Sequence, residues 1–197
     1  MNDTQLLEFA AHSRERARKL LAMCRIIEIW EMLGMKVNLV GSLRNGLLMT
    51  HRDIDLHIYS AHPSPSDGLA AMKALAENNP VRRIEYGNLL NTPEHCLEYH
   101  AWLPDEKGDE WQIDMIHIVS GSRYDGHFER VADRIAEHFS PEMKLAVLRL
   151  KYETPESEKI PGVEYYHAVQ EGGVRTFAQF TEFRRLHPLP TLLDWMP

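Results

Sequence analysis

The chain of 197 residues has a formal net charge of −7, and 44% of its residues are hydrophobic. This length suits one compact domain, or a core with a small helical appendage. Proteins that bind nucleic acid usually present a basic face, because phosphate neutralisation supplies much of their affinity, so the charge disfavours that class of partner. No apolar run approaches the roughly 18 residues that a membrane helix needs, and no membrane association is predicted.

The N-terminus and the cysteines bear on the cellular compartment. The opening residues, Met1-Asn2-Asp3-Thr4, lack the basic and apolar regions of a signal peptide. Cys24 and Cys96 lie in apolar-patterned segments, which predicts two buried free thiols. The expected location is therefore the cytoplasm. The chain has 11 histidines, but no His/Cys spacing matches a zinc site.

The first part of the chain alternates helices and strands. Apolar residues recur at three-, four- and seven-residue steps before Gly34, which predicts one long amphipathic helix. In chain order, a helix, a strand, a short helix, a strand and a helix are predicted at residues 4–33, 36–40, 43–49, 54–59 and 67–77. A loop with two prolines precedes the last of these helices.

Three strands and then four helices are predicted for the rest of the chain. The strands are placed at residues 81–90, 95–103 and 110–119, and the helices at 124–138, 141–152, 163–170 and 175–186. This order predicts an α+β fold, with a mixed sheet, helices on one face and a C-terminal helical subdomain. We expect a core over residues 1–120, which includes the long first helix, and a helical subdomain over 121–197.

Two short motifs indicate phosphoryl chemistry. Gly41-Ser42 directly follows the first predicted strand. Asp53 and Asp55 lie at the start of the second predicted strand. Strand side chains alternate faces, so both carboxylates point the same way, with His57 continuing the row. Adjacent carboxylates repel each other unless a cation lies between them, and Mg²⁺ prefers oxygen ligands. The glycine allows close backbone approach to a phosphate, and the serine adds a hydroxyl and an N–H group.

Structural roles for these residues stay open. Asp53 and Asp55 are also compatible with exposed acids on an edge strand, and Ser42 with a cap for the helix that follows it. His57 is interpreted as a hydrogen-bonded sheet histidine, with metal ligation as the alternative. Asp114 lies among apolar residues, where an unpaired carboxylate is costly, so it is predicted to bind a metal ion or to form a salt bridge.

Basic residues near these motifs are candidates for neutralising phosphate. Arg44 and Arg52 flank the site in sequence, and each is otherwise expected to be solvated or salt-bridged. Lys144 and Lys151 are seven residues apart on one predicted helix, so they share a face that either approaches the nucleotide or stays at the surface. The predicted nucleotide-binding set is Gly41, Ser42, Arg44, Lys144 and Lys151.

The order Gly41-Ser42 followed by Asp53-x-Asp55 resembles the signature of the nucleotidyltransferase superfamily that includes DNA polymerase beta. The run His51-Arg52-Asp53-Ile54-Asp55 is more closely similar to the small antibiotic nucleotidyltransferases that act on lincosamides and aminoglycosides. In that superfamily a later strand supplies a third carboxylate, and Asp114 matches this position. The motif-bearing resemblance covers roughly residues 37–119.

The resemblance implies a metal-dependent transferase. Asp53, Asp55 and Asp114 are the implied catalytic residues and metal ligands, with two Mg²⁺ ions. Gly41 and Ser42 are implied to hold the β- and γ-phosphates of a nucleoside triphosphate such as ATP. A nucleoside monophosphate would then pass to an acceptor hydroxyl, with pyrophosphate as the second product.

Other functions are compatible with the same residues. One alternative is a non-catalytic member of this fold that binds a nucleotide or a protein partner, and another is a toxin- or antitoxin-like module. Asp-x-Asp also occurs in metal-dependent sugar transferases, but these need a larger nucleotide-binding domain. The predicted acceptor is a small molecule or a protein, with the small molecule favoured, and nucleic acid such as transfer RNA is the less favoured alternative.

Overall fold

The structure is a computed structural model that describes residues 1–191 and 193–197. Its elements in chain order are α1 (Asp3–Cys24), α2 (Ile26–Met32), β1 (Lys36–Val40), α3 (Gly41–Asn45), β2 (Asp53–Ser60), α4 (Pro65–Asn78), β3 (Arg83–Asn88), β4 (Cys96–Pro104), β5 (Glu110–Val119), α5 (His127–His138), α6 (Pro141–Glu153), α7 (Gly162–Gln170) and α8 (Phe177–Leu186). This is the predicted α+β class. Within these residues, no helix is both long and apolar enough to cross a membrane.

The strands form one mixed sheet in the order β1-β2-β5-β4-β3. Strands β2 and β5 are parallel, and the other neighbours are antiparallel. Ile54, Leu56 and Ile58 of β2 pack into the main core, so the alternating Asp53 and Asp55 side chains lie on the opposite face. The sheet thus has one face covered by helices and one face that carries the polar motif.

Two apolar clusters hold the molecule together. The main core packs α2, α4 and the C-terminal half of α1 against the sheet, with Trp30 and Trp111 fully buried at its centre. The second cluster joins the helices from α5 onward to residues of the first 50 positions, including Leu6 and Ala10 of α1. Helix α1 therefore contributes to both clusters. The division between residues 1–120 and 121–197 stays a prediction.

The predicted single helix over residues 4–33 is wrong, because the chain breaks at Arg25. This residue adopts a left-handed conformation with φ of 55°, and its N–H donates to the carbonyl of Leu21 as a C-cap. The break redirects the chain so that Ile26 and Trp30 of α2 become buried, whereas Met23 is exposed. The apolar spacing continues across the break, so periodicity alone predicted an unbroken helix.

The boundaries of other elements also differ from prediction. The short helix predicted over 43–49 is α3, which begins at Gly41 and ends at Asn45, because Gly46 adopts a left-handed C-cap with φ of 74°. The helix predicted from residue 124 begins at His127, after Gly126 in a left-handed conformation. The strand predicted over 81–90 is shorter, since β3 covers Arg83–Asn88.

Candidate active site

The three predicted carboxylates come together on the polar face of the sheet. The parallel register of β2 and β5 pairs Asp53 with Gln112 and Asp55 with Asp114. Burial raises the pKa of Asp55 well above its usual range, and the negative charges of Asp53 and Asp114 raise it further. The carboxylates therefore repel one another, which is the electrostatic condition that a bound cation relieves.

Gly41 allows the backbone to pass directly over Asp55. The glycine has φ of 65°, and a Cβ atom built on it would lie 2.6 Å from the Asp55 Cγ. Real Cβ atoms essentially never come within 3.0 Å of such an atom. The N–H of the next residue, Ser42, donates to Asp55 and lowers its pKa, against the effect of burial. Glycine at position 41 is thus required by the close approach of the turn to the carboxylate.

Lys151 of α6 reaches the turn from the C-terminal helices. Its Nζ donates to Ser42 Oγ at 2.6 Å and to the Leu47 carbonyl at 3.1 Å. The side chain is buried, and Nζ lies 5.7 Å and 5.5 Å from the ring centroids of Tyr165 and Tyr166. Its positive charge lowers the pKa of Asp55. The structure therefore places Lys151 beside the serine and the acids, whereas its position on the helix left a surface role open.

Asp114 is held by two donors that the sequence analysis did not identify. Gln112 Nε2 donates to Asp114 Oδ1 at 2.6 Å, and His100 Nδ1 donates to the same oxygen. This hydrogen bond raises the pKa of His100. His100 lies directly opposite Asp114 in the antiparallel register of β4 and β5. Only that register links two residues 14 positions apart, so no local sequence signal could have found the pair.

Arg44 and Lys144 are placed differently from Lys151. Arg44 donates to the Leu39 carbonyl at 3.3 Å and pairs with Asp133 of α5 at 2.7 Å. Arg44 and Lys144 lie outside the two clefts that meet at the carboxylates. The structure thus brings Gly41, Ser42 and Lys151 of the predicted nucleotide-binding set together with the acids, and it gives Arg44 another partner.

Two clefts meet at Ser42 and Asp53. The smaller has a volume of about 340 Å³, and its charged lining consists of Arg52, Asp53, Asp114, Lys151 and Lys159. The larger has a volume of about 800 Å³ and extends past Asp55 along the sheet to aromatic residues that include Tyr124 and Phe128. Residues 160–162 line both clefts. Two compartments with a shared acidic junction suit a reaction between two bound molecules.

The residues at this junction fit a hard divalent cation. Oxygen ligands of the type that Mg²⁺ prefers are supplied by Asp53, Asp55 and Asp114. Among the described residues, no three His, Cys, Asp or Glu side chains already form a grouped ligand set. Oδ1 of Asp114 accepts hydrogen bonds from His100 and Gln112, and no described residue donates to its Oδ2. The donor chemistry and the repulsion at Asp55 therefore both favour a cation.

His57 has a structural partner. Its Nδ1 lies 3.2 Å from the Tyr59 hydroxyl, which donates to Glu129 at 2.7 Å. Burial lowers the pKa of His57 to about 4. Asn38 also donates to Glu129 at 2.8 Å, which joins β1 and β2 to α5. His57 is thus the hydrogen-bonded sheet histidine of the first interpretation, although it also contributes to the wall of the larger cleft.

Comparisons with known proteins bear on the fold. No family model and no curated protein matches the chain. A Cid1 poly(U) polymerase structure with bound MgGTP superposes with a TM-score of 0.59 at 16% identity, over 85% of this chain and 54% of that chain. A cytoplasmic RNA terminal U-transferase superposes with a TM-score of 0.53 at 15% identity, over 84% of this chain and 51% of that chain. The non-canonical poly(A) polymerase complex GLD-2–GLD-3 superposes with a TM-score of 0.55 at 11% identity, over 93% of this chain and 63% of that chain.

These structural neighbours show that the chain has a nucleotidyltransferase-type fold, as predicted from the two motifs. The chain spans about half the length of the Cid1 and U-transferase structures that it matches. The closer resemblance to the small antibiotic nucleotidyltransferases stays a prediction.

Proposed function

We propose that this protein is a Mg²⁺-dependent nucleotidyltransferase, which moves a nucleoside monophosphate from a nucleoside triphosphate to an acceptor hydroxyl. The observation that carries the proposal is the convergence of Asp53, Asp55 and Asp114 beside the Gly41-Ser42 turn, with the buried ammonium group of Lys151 on the serine. Structural neighbours with bound MgGTP and MgATP support the choice of metal and of co-substrate.

Each residue has a role in this proposal. Asp53 and Asp55 hold the Mg²⁺ of the incoming nucleotide, and Asp114 shares a second ion. When bound, such ions neutralise phosphate charge and lower the pKa of an attacking hydroxyl. Ser42 and Lys151 donate to the terminal phosphates. Positioning and charge neutralisation of this kind account for most of the catalysis in phosphoryl transfer.

The proposed reaction is a displacement at the α-phosphorus. The acceptor oxygen forms a bond to that phosphorus while the bond to the oxygen bridging the α- and β-phosphates breaks, and pyrophosphate leaves with the electron pair. The proton of the hydroxyl passes to water, and Oδ2 of Asp114, which has no donor among the described residues, stays free to hold the second ion. His100 and Gln112 fix the carboxylate through Oδ1 while it acts.

The larger cleft is the proposed acceptor site, and a small molecule is the proposed acceptor. The cleft has a volume of about 800 Å³, within the usual range for small-molecule sites. Beyond the catalytic acids, its charged lining includes Glu94, Glu98 and Arg123. One cation against two carboxylates is a poor match for the phosphate backbone of RNA. RNA stays the rival acceptor, because the solved neighbours include RNA terminal transferases.

The first test is calorimetric titration of ATP, GTP, CTP and UTP with Mg²⁺ into the wild type and the Asp53→Ala/Asp55→Ala variant. We expect metal-dependent binding of at least one nucleotide by the wild type and none by the variant. Thermal unfolding of both proteins controls for folding. Release of pyrophosphate is then measured with a panel of hydroxyl-bearing small molecules and with single-stranded RNA. Transfer by the double variant would refute the mechanism, and transfer to RNA alone would refute the acceptor class.

A second candidate is a non-catalytic nucleotide-binding protein of the same fold. The observation that favours it is the hydrogen bonding of Asp114 to His100 and Gln112, which leaves no ready group of three metal ligands among the described residues. Nucleotide binding without pyrophosphate release across the whole acceptor panel would support this candidate. A stoichiometric protein partner that co-purifies with the chain would support the toxin- or antitoxin-like form of it.

A further inference from the structure

We propose that Arg52 and Lys159 bind the β- and γ-phosphates of the nucleotide, together with Ser42 and Lys151, which line the same smaller cleft. The inference rests on the proposed function and assigns residues to its nucleotide site. These four residues line a cleft of about 340 Å³ together with Asp53 and other neighbours. A triphosphate carries more negative charge than one ammonium group can neutralise, and guanidinium and ammonium groups both donate strongly to phosphate oxygens.

Arg52 can change partners at little electrostatic cost. Its Nη2 lies 3.4 Å from Asp109 Oδ2, and its side chain is 46% exposed. Asp109 has a closer partner in Arg16, at 2.6 Å. When Arg52 turns toward a phosphate, Asp109 keeps the Arg16 ion pair, so no carboxylate is left without a cation. The exposed Arg52–Asp109 pair contributes little by itself, so the exchange favours the phosphate.

The backbone of Arg52 is fixed although its side chain is exposed. The Arg52 carbonyl accepts a hydrogen bond from the Gln112 N–H at 2.8 Å, which aligns the start of β2 with β5. Arg52 immediately precedes Asp53, so its side chain begins beside the proposed metal ligand. A cation anchored at this point reaches the phosphates of a metal-bound nucleotide without a rearrangement of the sheet.

Lys159 lines the same cleft. It lies in the segment between α6 and α7, next to residues 160–162 that line both clefts. The side chain is exposed, and it forms no ion pair with any residue that the structure describes. A lysine without a carboxylate partner at the edge of an acidic junction keeps its three donors available for an anion.

Calorimetry with Mg²⁺·ATP and with Mg²⁺·tripolyphosphate tests the assignment, because tripolyphosphate isolates the phosphate contacts from those of the nucleoside. We expect Arg52→Ala and Lys159→Ala each to lower the affinity for both ligands about tenfold or more, as for the loss of a charge-assisted hydrogen bond. Arg52→Lys should retain part of the affinity. The matched controls, Arg82→Ala and Lys73→Ala, remove exposed cations outside the clefts, and Arg82 has a 3.4 Å ion pair like that of Arg52.

Asp109→Asn separates phosphate binding from a structural role of the Arg52–Asp109 pair. This variant should bind both ligands within about twofold of the wild type, a difference of about 0.4 kcal/mol. Equal losses in Asp109→Asn and Arg52→Ala would overturn the inference. Unchanged binding in Arg52→Ala and Lys159→Ala would also overturn it, with the proposed function intact. A wild type that binds neither ligand would instead refute the proposed function.

Discussion

Replacement of Gly41 by alanine tests whether the turn must lie directly on Asp55. Two effects should follow from one methyl group. The backbone at φ of 65° is in the left-handed region, which costs an L-residue about 1–2 kcal/mol. The new Cβ would also lie 2.6 Å from the Asp55 Cγ, so the carboxylate would have to retreat to at least 3.4 Å for an ordinary contact.

The displacement of Asp55 should affect nucleotide binding more than folding. A misplacement of about 1 Å at a reacting centre can cost about 100-fold in rate, and Asp55 is a proposed metal ligand. We therefore expect Gly41→Ala to lose about 1–2 kcal/mol of unfolding free energy, as for an unfavourable backbone conformation. Its affinity for Mg²⁺·ATP should fall at least tenfold, as for a displaced metal ligand. Urea unfolding and calorimetry measure the two quantities.

Gly34→Ala is the matched control for the cost of placing alanine in a left-handed backbone conformation. Gly34 has φ of 81°, and a Cβ atom on it would meet no atom within 4 Å. This variant should therefore lose similar stability and keep the nucleotide affinity of the wild type. Wild-type affinity in Gly41→Ala, or an equal loss of affinity in Gly34→Ala, would refute the argument that contact with Asp55 requires glycine at position 41.

Three further predictions concern side chains around the site and in the core. His100→Ala should lower the affinity for Mg²⁺ in the presence of ATP about 10- to 100-fold, whereas His100→Asn should restore a donor to Asp114. Equal losses of affinity in the two variants would contradict a positioning role. Burial lowers the pKa of His117 to about 4, below its unfolded value near 6.5, so the unfolded state takes up the proton first. The contribution of His117 to the unfolding free energy should therefore fall by about 2 kcal/mol between pH 7.5 and 5, a fall that urea titrations should find missing in His117→Gln. Arg16→Ala should cost about 3 kcal/mol by urea unfolding, because it removes a cation from the buried carboxylate of Asp105; a loss below about 1 kcal/mol would contradict this.

The sequence predicted the features that depend on local pattern. Alternation along β2 places Asp53 and Asp55 on one face, because side chains in a strand have a period of two residues. The turn after β1 was predicted from Gly41 and Ser42 alone. Asp114 was assigned as the third acid from the family resemblance, and its apolar surroundings alone left a metal ion and a salt bridge as alternatives.

Features set by the direction of a side chain or by strand register could not be predicted in this way. Arg44 and Arg52 are equally close to the motifs in sequence, but α3 turns Arg44 toward Asp133 while Arg52 lines the smaller cleft. The break at Arg25 depends on how Ile26 and Trp30 pack beneath the sheet, and helical periodicity does not contain that information.

The participation of α1 in both apolar clusters has a consequence for the order of assembly. Its C-terminal half packs with the sheet, whereas Leu6 and Ala10 pack with helices from α5 onward, and Arg149 of α6 pairs with Asp3. Leu6 and Ala10 cannot pack with these helices until the ribosome has added more than 120 further residues. During translation, the apolar residues at the start of α1 therefore stay without these partners after the residues of the sheet have been made.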